Sequence, residues 1–243
     1  MKWLAVDTST LVLGVAILDE GRLLGEVTTH LHKNHSVRLM PTVARLMEDL
    51  DLTPQELEAI AVAGGPGSYT GVRIGYTSAK TMAWSLGIPL YSVSSLAVLA
   101  MNGFHFPGEI IPLFDARRDR VYTGLYGMDK GGVSLQLPER VINIDYWLEE
   151  LKGRGPILFL GEDAIRFKER ILHVLGDDAH FGLPVENIPR ASALGMLAYT
   201  RFQEGAAPEP EDGAPNYLQL AEAEAKWLQK QGNGGEENGA STH

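Results

Sequence analysis

An α/β protein made of two similar units is the fold class that this sequence predicts. Two strand-like runs near the start are separated by Asp19-Glu20-Gly21, a hairpin turn signal, so the chain opens with an antiparallel meander. Helical and strand-like runs alternate after it, which predicts a mixed sheet with helices on its faces. The second half repeats the order of strands first and helices after, and this indicates two related units.

The first half has clear starts and stops. Ser36 is expected to cap a helix that ends near Leu50. The segment Thr53-Pro54-Gln55-Glu56 has the capping box and first-turn proline of a short helix. The predicted strands are 3–7, 11–18, 22–30, 59–63 and 90–93, and the predicted long helices are 36–50 and 72–86.

The second unit is expected to begin near residue 95. Its predicted strands are 109–115, 120–126, 133–141 and 157–161, and its predicted helices are 95–102, 144–152, 163–175 and 191–204. A polar, proline-bearing loop follows at 205–213, then a last helix at 222–231. The tail 232–243 has a composition typical of disorder. We therefore expect an N-terminal lobe at 1–95, completed by a last helix within 220–231, and a C-terminal lobe at 96–219.

The composition limits the function classes. The 243 residues carry a formal net charge of −10, and nucleic-acid binders usually present a basic surface, so a large direct contact with RNA or DNA is not expected. The absence of cysteine excludes disulfides, thiolate metal sites and a cysteine nucleophile. No apolar run approaches the length of a membrane span, and Asp7 comes too early for a secretory signal, so a cytoplasmic protein is expected.

The most specific segment runs from Gly64 to Gly75 and reads Gly-Gly-Pro-Gly-Ser-Tyr-Thr-Gly-Val-Arg-Ile-Gly. A strand, a glycine loop and a helix N-terminus can hold a phosphate, and the same arrangement can simply turn a corner. The lysine of a Walker A loop is absent, so this is not that motif. Ser68 or Thr70 is expected to cap the helix, with Gly71 at its start.

Four segments together resemble one family. They are Leu4 to Thr10, His35 to Pro41, the glycine segment, and Asp115 to Tyr122. Over roughly residues 1–230 the chain resembles the TsaB (YeaZ) family of bacterial tRNA threonylcarbamoyladenosine biosynthesis proteins. A late segment, Pro215-Asn216-Tyr217-Leu218-Gln219, departs from the family at Gln219, where arginine is usual.

The resemblance implies a fold of the actin/Hsp70/sugar-kinase (ASKHA) type with two similar lobes. It implies a non-catalytic subunit of the complex that forms N6-threonylcarbamoyladenosine (t6A) beside the anticodon of tRNAs reading codons that begin with A. The expected partners are the catalytic paralogue TsaD, in a heterodimer, and a TsaE-type ATPase, with tRNA contacted mainly through the partner. ATP or ADP and a metal are expected on those subunits and no cofactor on this chain, which is expected to form a homodimer when alone.

Two helices carry the expected partner surface. Helix 36–50 has two apolar stripes, whereas an ordinary surface helix has one, so one stripe is expected in the core and one under a partner. In helix 72–86, Gly75, Ala79 and Ala83 are spaced by four, which lets another helix approach closely. The residues assigned to this surface are His35, Val37, Arg38, Leu39, Met40, Pro41, Val43, Leu46, Gly71, Arg73, Ile74, Gly75, Thr77, Ser78 and Thr81.

A trace of nucleotide binding is the second site hypothesis, and its candidates are Asp7, Thr8, Ser9, Gly65 and Gly67. The alternative is that the hydroxyls after Asp7 only close a turn. No residue is assigned a catalytic role. No metal site is expected, because His30, His32 and His35 form no i, i+4 pair. Two further functions stay open: a free-standing nucleotide-dependent enzyme of this fold and, less favoured, a metalloprotease.

Overall fold

The computed structural model describes residues 1–31, 34–129 and 132–218. His32, Gln219, the helix expected within 220–231 and the tail at 232–243 lie outside the described residues. Within them, no helix is both long and apolar enough to cross a membrane.

The first sheet has five strands. In chain order they are β1 (Lys2–Asp7), β2 (Val12–Asp19), β3 (Arg22–His30), β4 (Ala59–Ala63) and β5 (Leu90–Val93). Their order across the sheet is β3-β2-β1-β4-β5. The first three strands are antiparallel neighbours, whereas β4 and β5 run parallel to β1. The predicted meander and mixed sheet are confirmed.

Three helices belong to the first half: α1 (His35–Asp49), α2 (Tyr69–Leu86) and α3 (Ser95–Ala100). Two starts differ from the prediction, because Asn34 rather than Ser36 caps α1, and α2 begins before Val72 with Ser68 as its cap. The capping box at Thr53 begins only a 3-10 turn, Pro54–Glu56, instead of a helix. A second 3-10 turn, Met101–Gly103, follows α3.

The second sheet repeats the topology of the first. Its strands are β6 (Glu109–Asp115), β7 (Arg120–Asp129), β8 (Gly132–Asn143), β9 (Ile157–Leu160) and β10 (Ala179–Phe181). Their order is β10-β9-β6-β7-β8, with β6, β7 and β8 antiparallel and β9 and β10 parallel to β6. Each strand therefore has a counterpart at the same place in the first sheet, which confirms the duplication.

The helices of the second half are α4 (Ile144–Leu151), α5 (Glu162–Arg166), α6 (Lys168–Leu175) and α7 (Ala191–Gln203). One prediction here is wrong: the helix expected at 163–175 is two helices, separated at Phe167, where φ is −100° and ψ is 5°. Strand β10 had not been predicted.

The core has three parts. One lies between the first sheet and helices α1 and α2, and another between the second sheet and helices α4, α5 and α6. The third joins the lobes: Trp3 of β1, Leu96 of α3, Ile110 of β6 and Leu194 of α7 are all buried in it. Burying one such side chain contributes about 1.5–3 kcal/mol. Helix α7 comes late in the chain yet packs on β1 and β2, so the two lobes share a core.

Candidate functional site

Helix α1 carries the two apolar stripes that the sequence predicts, and the structure shows that they differ in burial. Leu39, Val43 and Leu46 are buried against the first sheet. Their assignment to a partner surface is therefore wrong, since their side chains already fill the protein's own core. On the other stripe, 68% of Val37 and 45% of Met40 are exposed. This is the stripe that a partner can reach.

Pro41 also lies exposed on α1, next to Met40. His35 and Arg38, by contrast, are half-buried and turn toward the sheet. His35 Nε2 lies 2.9 Å from the carbonyl oxygen of Thr10, and Arg38 Nη2 donates a hydrogen bond to Thr29 Oγ1. These two side chains fix the first turn of α1 to the β1–β2 turn and to β3.

The small residues of α2 pack inward. A Cβ atom on Gly71 would lie 2.2 Å from the carbonyl oxygen of Thr8, and one on Gly75 would lie 2.3 Å from Thr8 Oγ1. Ala79 and Ala83 are buried against the same sheet. The small face therefore serves close approach to the protein's own first sheet, and the assignment of Gly71 and Gly75 to a partner surface is wrong.

The outer face of α2 is uncovered. Arg73, Thr77 and Thr81 are exposed, and Ile74 and Ser78 are half-buried on the flank. Trp84, which was not among the residues predicted for the partner surface, continues this face one turn after Thr81. Its side chain is 81% exposed. An aromatic residue so far out of the core is the strongest sign of a contact surface on this helix, because Trp is enriched at interface hot spots.

The segment 209–217 borders this face on its other side. Tyr76 Oη donates to Glu209 Oε2 at 2.9 Å, and Lys80 Nζ donates to the carbonyl oxygen of Gly213 at 2.7 Å. Asn216 N donates to the carbonyl oxygen of Gly64 at 2.8 Å, and the rings of Tyr69 and Tyr217 lie 5.4 Å apart. These contacts hold the segment along α2. The desolvation of Tyr76, with Glu209 beside it, raises the pKa of its phenol above the ordinary range.

The β1–β2 turn is closed by its own side chains. Ser9 N and Oγ donate to Asp7 Oδ1 at 2.8 and 2.7 Å, and Thr8 Oγ1 donates to the carbonyl oxygen of Gly71 at 2.7 Å. Val12 N donates to Thr10 Oγ1 at 3.1 Å. Burial raises the pKa of Asp7, against the opposing effects of the Ser9 hydrogen bonds and of nearby His35. These contacts match the structural alternative, in which the hydroxyls close a turn.

The glycine segment also owes its composition to packing. A Cβ on Gly67 would lie 2.2 Å from the carbonyl oxygen of Ser9, and one on Gly65 would lie 2.8 Å from that of Asn216. At Gly65 φ is +100°, a backbone conformation that residues other than glycine rarely adopt. Both glycines therefore let backbone segments meet closely.

An open cleft of about 730 Å³ lies between the two lobes. The β1–β2 turn and the glycine segment form one wall, and Asp115, Arg117 and Asp163 lie on the other. Asp115 N donates to Asp163 Oδ2 at 2.8 Å, and the Asp115 carboxylate pairs with Arg166. Burial, the largest influence, raises the pKa of Asp163.

Part of the donor capacity of the glycine segment is already used within the chain. Ser68 N donates to the Ser9 carbonyl oxygen at 2.7 Å and Gly71 N donates to Ser68 Oγ at 3.3 Å, so these two N–H groups are engaged rather than aimed at a phosphate. Both Arg117 and carboxylates line the same cleft.

Each of the two candidate histidines that the structure describes is engaged within the chain. His30 Nε2 lies 3.3 Å from Glu162 Oε2, and His35 Nε2 lies 2.9 Å from the carbonyl oxygen of Thr10. In the part of the chain that the structure describes, no group of three or more His, Asp and Glu side chains is arranged to hold a metal ion.

Comparisons with known proteins agree on one family. A family model described as TsaD, tRNA N6-adenosine threonylcarbamoyltransferase, matches residues 22–227. The tRNA threonylcarbamoyladenosine biosynthesis protein TsaB of Bacillus subtilis is 50% identical over 232 residues, 95% of this chain and 100% of that protein. The TsaB protein of Escherichia coli is 31% identical over 231 residues, 90% of this chain and 94% of that protein.

A solved structure gives the same result. The structure titled YeaZ from Pseudomonas aeruginosa is 29% identical, covers 89% of this chain and 99% of its own, and superposes with a TM-score of 0.73. With the duplicated strand order, this confirms the two-lobed ASKHA fold class.

Proposed function

The chain belongs to the TsaB (YeaZ) family, and from that premise we propose that it acts in t6A biosynthesis as a non-catalytic partner subunit of a longer, catalytic TsaD-type relative. The relatives that share 31% and 50% identity with it carry t6A biosynthesis in their names. The family model that matches residues 22–227 has the transferase TsaD as its description. A partner related to this chain in sequence is thus the natural one.

The observation that carries the proposal is the uncovered outer face of α1 and α2. We define the α1–α2 face as Val37, Met40, Pro41, Arg73, Ile74, Thr77, Ser78, Thr81 and Trp84. It combines exposed apolar and aromatic side chains with few charges, a composition typical of the centre of an interface. Methionine adapts its shape to a partner at such surfaces.

One feature supports a role without chemistry. The turn and the glycine segment use several of their polar groups to hold themselves together. The nucleotide and metal of the complex are therefore assigned to the TsaD-type subunit and a TsaE-type ATPase, and tRNA contact mainly to the former. The same face accounts for a homodimer when this chain is alone, since related folds present the same surface in both partners.

A matched pair of substitutions tests the proposal. Met40 and Met196 are both 45% exposed, but Met40 lies on the α1–α2 face and Met196 on α7, which packs on the other face of the first sheet. Met40→Asp is expected to abolish co-elution with the TsaD-type relative on gel filtration, because an unpaired charge would be buried in the contact. Met196→Asp is expected to co-elute as the unsubstituted chain does.

The cellular readout is the t6A content of total tRNA. In a strain whose only copy carries Met40→Asp, t6A is expected to fall, and with Met196→Asp it is expected to stay normal. Normal co-elution and normal t6A with Met40→Asp would show that the surface lies elsewhere. Loss of t6A without loss of binding would instead point to a direct role of this chain in the chemistry.

A further inference from the structure

A second, smaller cavity lies at the junction of the two lobes, apart from the cleft and from the α1–α2 face. Its volume is about 220 Å³. It lies between the start of α3, the last turns of α7 and the β7–β8 ribbon. Because α7 packs on the first sheet and β8 belongs to the second, whatever fills this cavity touches both lobes.

One wall carries a carboxylate held in a fixed orientation. Glu139 Oε1 accepts hydrogen bonds from both Ser94 Oγ and Tyr126 Oη. Ser94 Oγ in turn caps α3 by accepting from Leu96 N at 3.1 Å, which fixes the hydroxyl that holds the glutamate. The other oxygen of Glu139, Oε2, accepts no hydrogen bond within the described ranges. It is an oriented acceptor that remains available.

The rim of the cavity carries an arginine whose guanidinium group has few contacts. Arg201 lines the cavity, and its guanidinium makes one hydrogen bond, from Nη1 to the carbonyl oxygen of Ser92 at 3.3 Å. Glu139 and Glu204 line the same cavity, yet among the described residues neither forms an ion pair with Arg201. The positive charge of Arg201 is nevertheless close to Tyr126 and Glu139. Burial, chiefly, and Glu139 raise the pKa of Tyr126, and Arg201 opposes that rise.

The remaining lining is mixed: Asp129 and Thr200 are polar, and Ala97, Val133, Leu135 and Leu197 form an apolar part. A volume of 220 Å³ is roughly seven times the share of one water molecule in the liquid, which suits a small metabolite. Polar groups that converge beside an apolar part can orient such a ligand.

We propose that this cavity binds a small zwitterion of the α-amino acid class, with its ammonium group on Glu139 Oε2, its carboxylate on Arg201 and its side chain against Ala97, Val133 and Leu197. Both charges of such a ligand meet a counter-charge that the protein leaves unused. A simple anion would face Glu139 and Glu204, and a simple amine would leave Arg201 unsatisfied.

L-alanine, ethylammonium and acetate are the probes, added to the full-length chain and followed by amide NMR shifts and calorimetry. We expect L-alanine to bind more tightly than either single-charge probe and to shift amides at the start of α3, the end of α7 and β8. We also expect it to raise the melting temperature, because it binds only the folded chain.

Two substitutions separate the charges. Arg201→Met and Glu139→Gln are each expected to weaken L-alanine binding at least about tenfold, since each removes a charge-assisted contact. Ethylammonium binding is expected to respond to Glu139→Gln and not to Arg201→Met. Arg45→Met on α1, far from the cavity, is the matched control and is expected to bind L-alanine normally.

Glu139→Gln keeps an acceptor oxygen for Ser94 and Tyr126, and its melting temperature reports whether the network survives. If that variant does not fold, Arg201→Met alone decides, because Arg201 is exposed. The proposal is overturned if L-alanine shifts no amides around the cavity, if Arg201→Met binds it normally, or if ethylammonium binds as tightly as L-alanine. None of these outcomes bears on the α1–α2 face.

Discussion

The two lobes have the same strand order but opposite outer surfaces. In the second lobe, arginines and lysines of the outer helices and of β8 are paired with acids: Arg140 with Glu150, Lys152 with Glu149, Arg166 with Asp115, and Arg170 with Asp119 and Asp145. In the first lobe, the ion pair recorded on the described α1 and α2 is Arg45 with Asp49. The other exposed side chains of these helices include Met40, Thr77 and Trp84, with Glu48 and Arg73 as the remaining charges.

The two outer surfaces differ more in the hydration that they would lose under a partner than in how much they stabilise the fold. A surface ion pair contributes only about 0–1 kcal/mol, so the pairs of the second lobe do little to hold it together. They do make its outer surface costly to desolvate, because charges lose hydration when a partner covers them. The α1–α2 face would lose little hydration and gain apolar burial under a partner. In the proposed function, the first lobe rather than the second is therefore the one that a partner covers.

The largest expected effect tests which stripe of α1 belongs to the core. Leu39→Ala is expected to lower the free energy of unfolding by about 2–5 kcal/mol, because it leaves a cavity under the first sheet. Met40→Ala, one residue along, is expected to change it by less than about 0.5 kcal/mol. Urea denaturation measures both. Equal losses would mean that both stripes are packed inside, and the comparison between the lobes would collapse.

The second effect concerns the two most exposed aromatic residues of the outer helices. Trp84 on α2 is 81% exposed and Tyr146 on α4 is 72% exposed, so they are similarly exposed aromatic residues on different lobes. Trp84→Ala is expected to weaken binding to the TsaD-type relative by about 2 kcal/mol, roughly thirtyfold in Kd, as for an interface hot spot. Tyr146→Ala is expected to leave the Kd unchanged by calorimetry. The reverse result would move the partner to the second lobe.

The third prediction concerns a feature that the two lobes share. Each has a glycine before the helix that follows its fourth strand in chain order: a Cβ on Gly67 would lie 2.2 Å from the Ser9 carbonyl oxygen, and one on Gly161 would lie 2.4 Å from that of Leu113. Gly67→Ala and Gly161→Ala are each expected to cost about 1–3 kcal/mol of unfolding free energy, because backbone must move. Gly153→Ala, at φ +75° with nothing within 4 Å of its Cβ position, is the control for backbone strain alone and is expected to cost less than either. Indifference at Gly67 would return that glycine to a ligand-binding role.

Much of the fold was predictable because its signals are local. Hairpin residues, proline at the start of a turn and short buried runs such as Ala59–Ala63 depend on a few neighbouring residues. The break at Phe167 is different, since Phe167, Ile171 and Leu175 are buried and spaced by four, as in a single helix, and this pattern gives no sign of the break. Strand β10 has three residues and is defined by its pairing with β9, so its sequence is too short to contain a periodic pattern that predicts a strand.

The helix pair that we propose as a partner surface can be selected from the sequence, but which of its residues are exposed cannot. Periodicity gives α1 two apolar stripes, but only the position of the sheet decides that Leu39 faces inward and Val37 outward. The small residues of α2 permit close approach, and the sequence does not say that Thr8 is what approaches Gly75. Trp84 carried no signal, because a tryptophan in a helix is usually buried.

The smallest expected effect compares the acids at the ends of the two equivalent strands, Asp7 on β1 and Asp115 on β6. Burial raises the pKa of Asp7 above 3.8, so the folded chain holds this proton more tightly than the unfolded chain does. The stability contributed by Asp7 is therefore full below that value and is lost as pH rises through the raised pKa. Asp7→Asn keeps an oxygen for Ser9 and removes the charge, so its unfolding free energy should rise relative to the unsubstituted chain between acidic and neutral pH. Asp115→Asn loses the ion pair with Arg166 but also relieves the repulsion that helps to raise the pKa of Asp163. Because these effects oppose each other at a less buried site, its gain in urea titrations across that pH range should be smaller than that of Asp7→Asn.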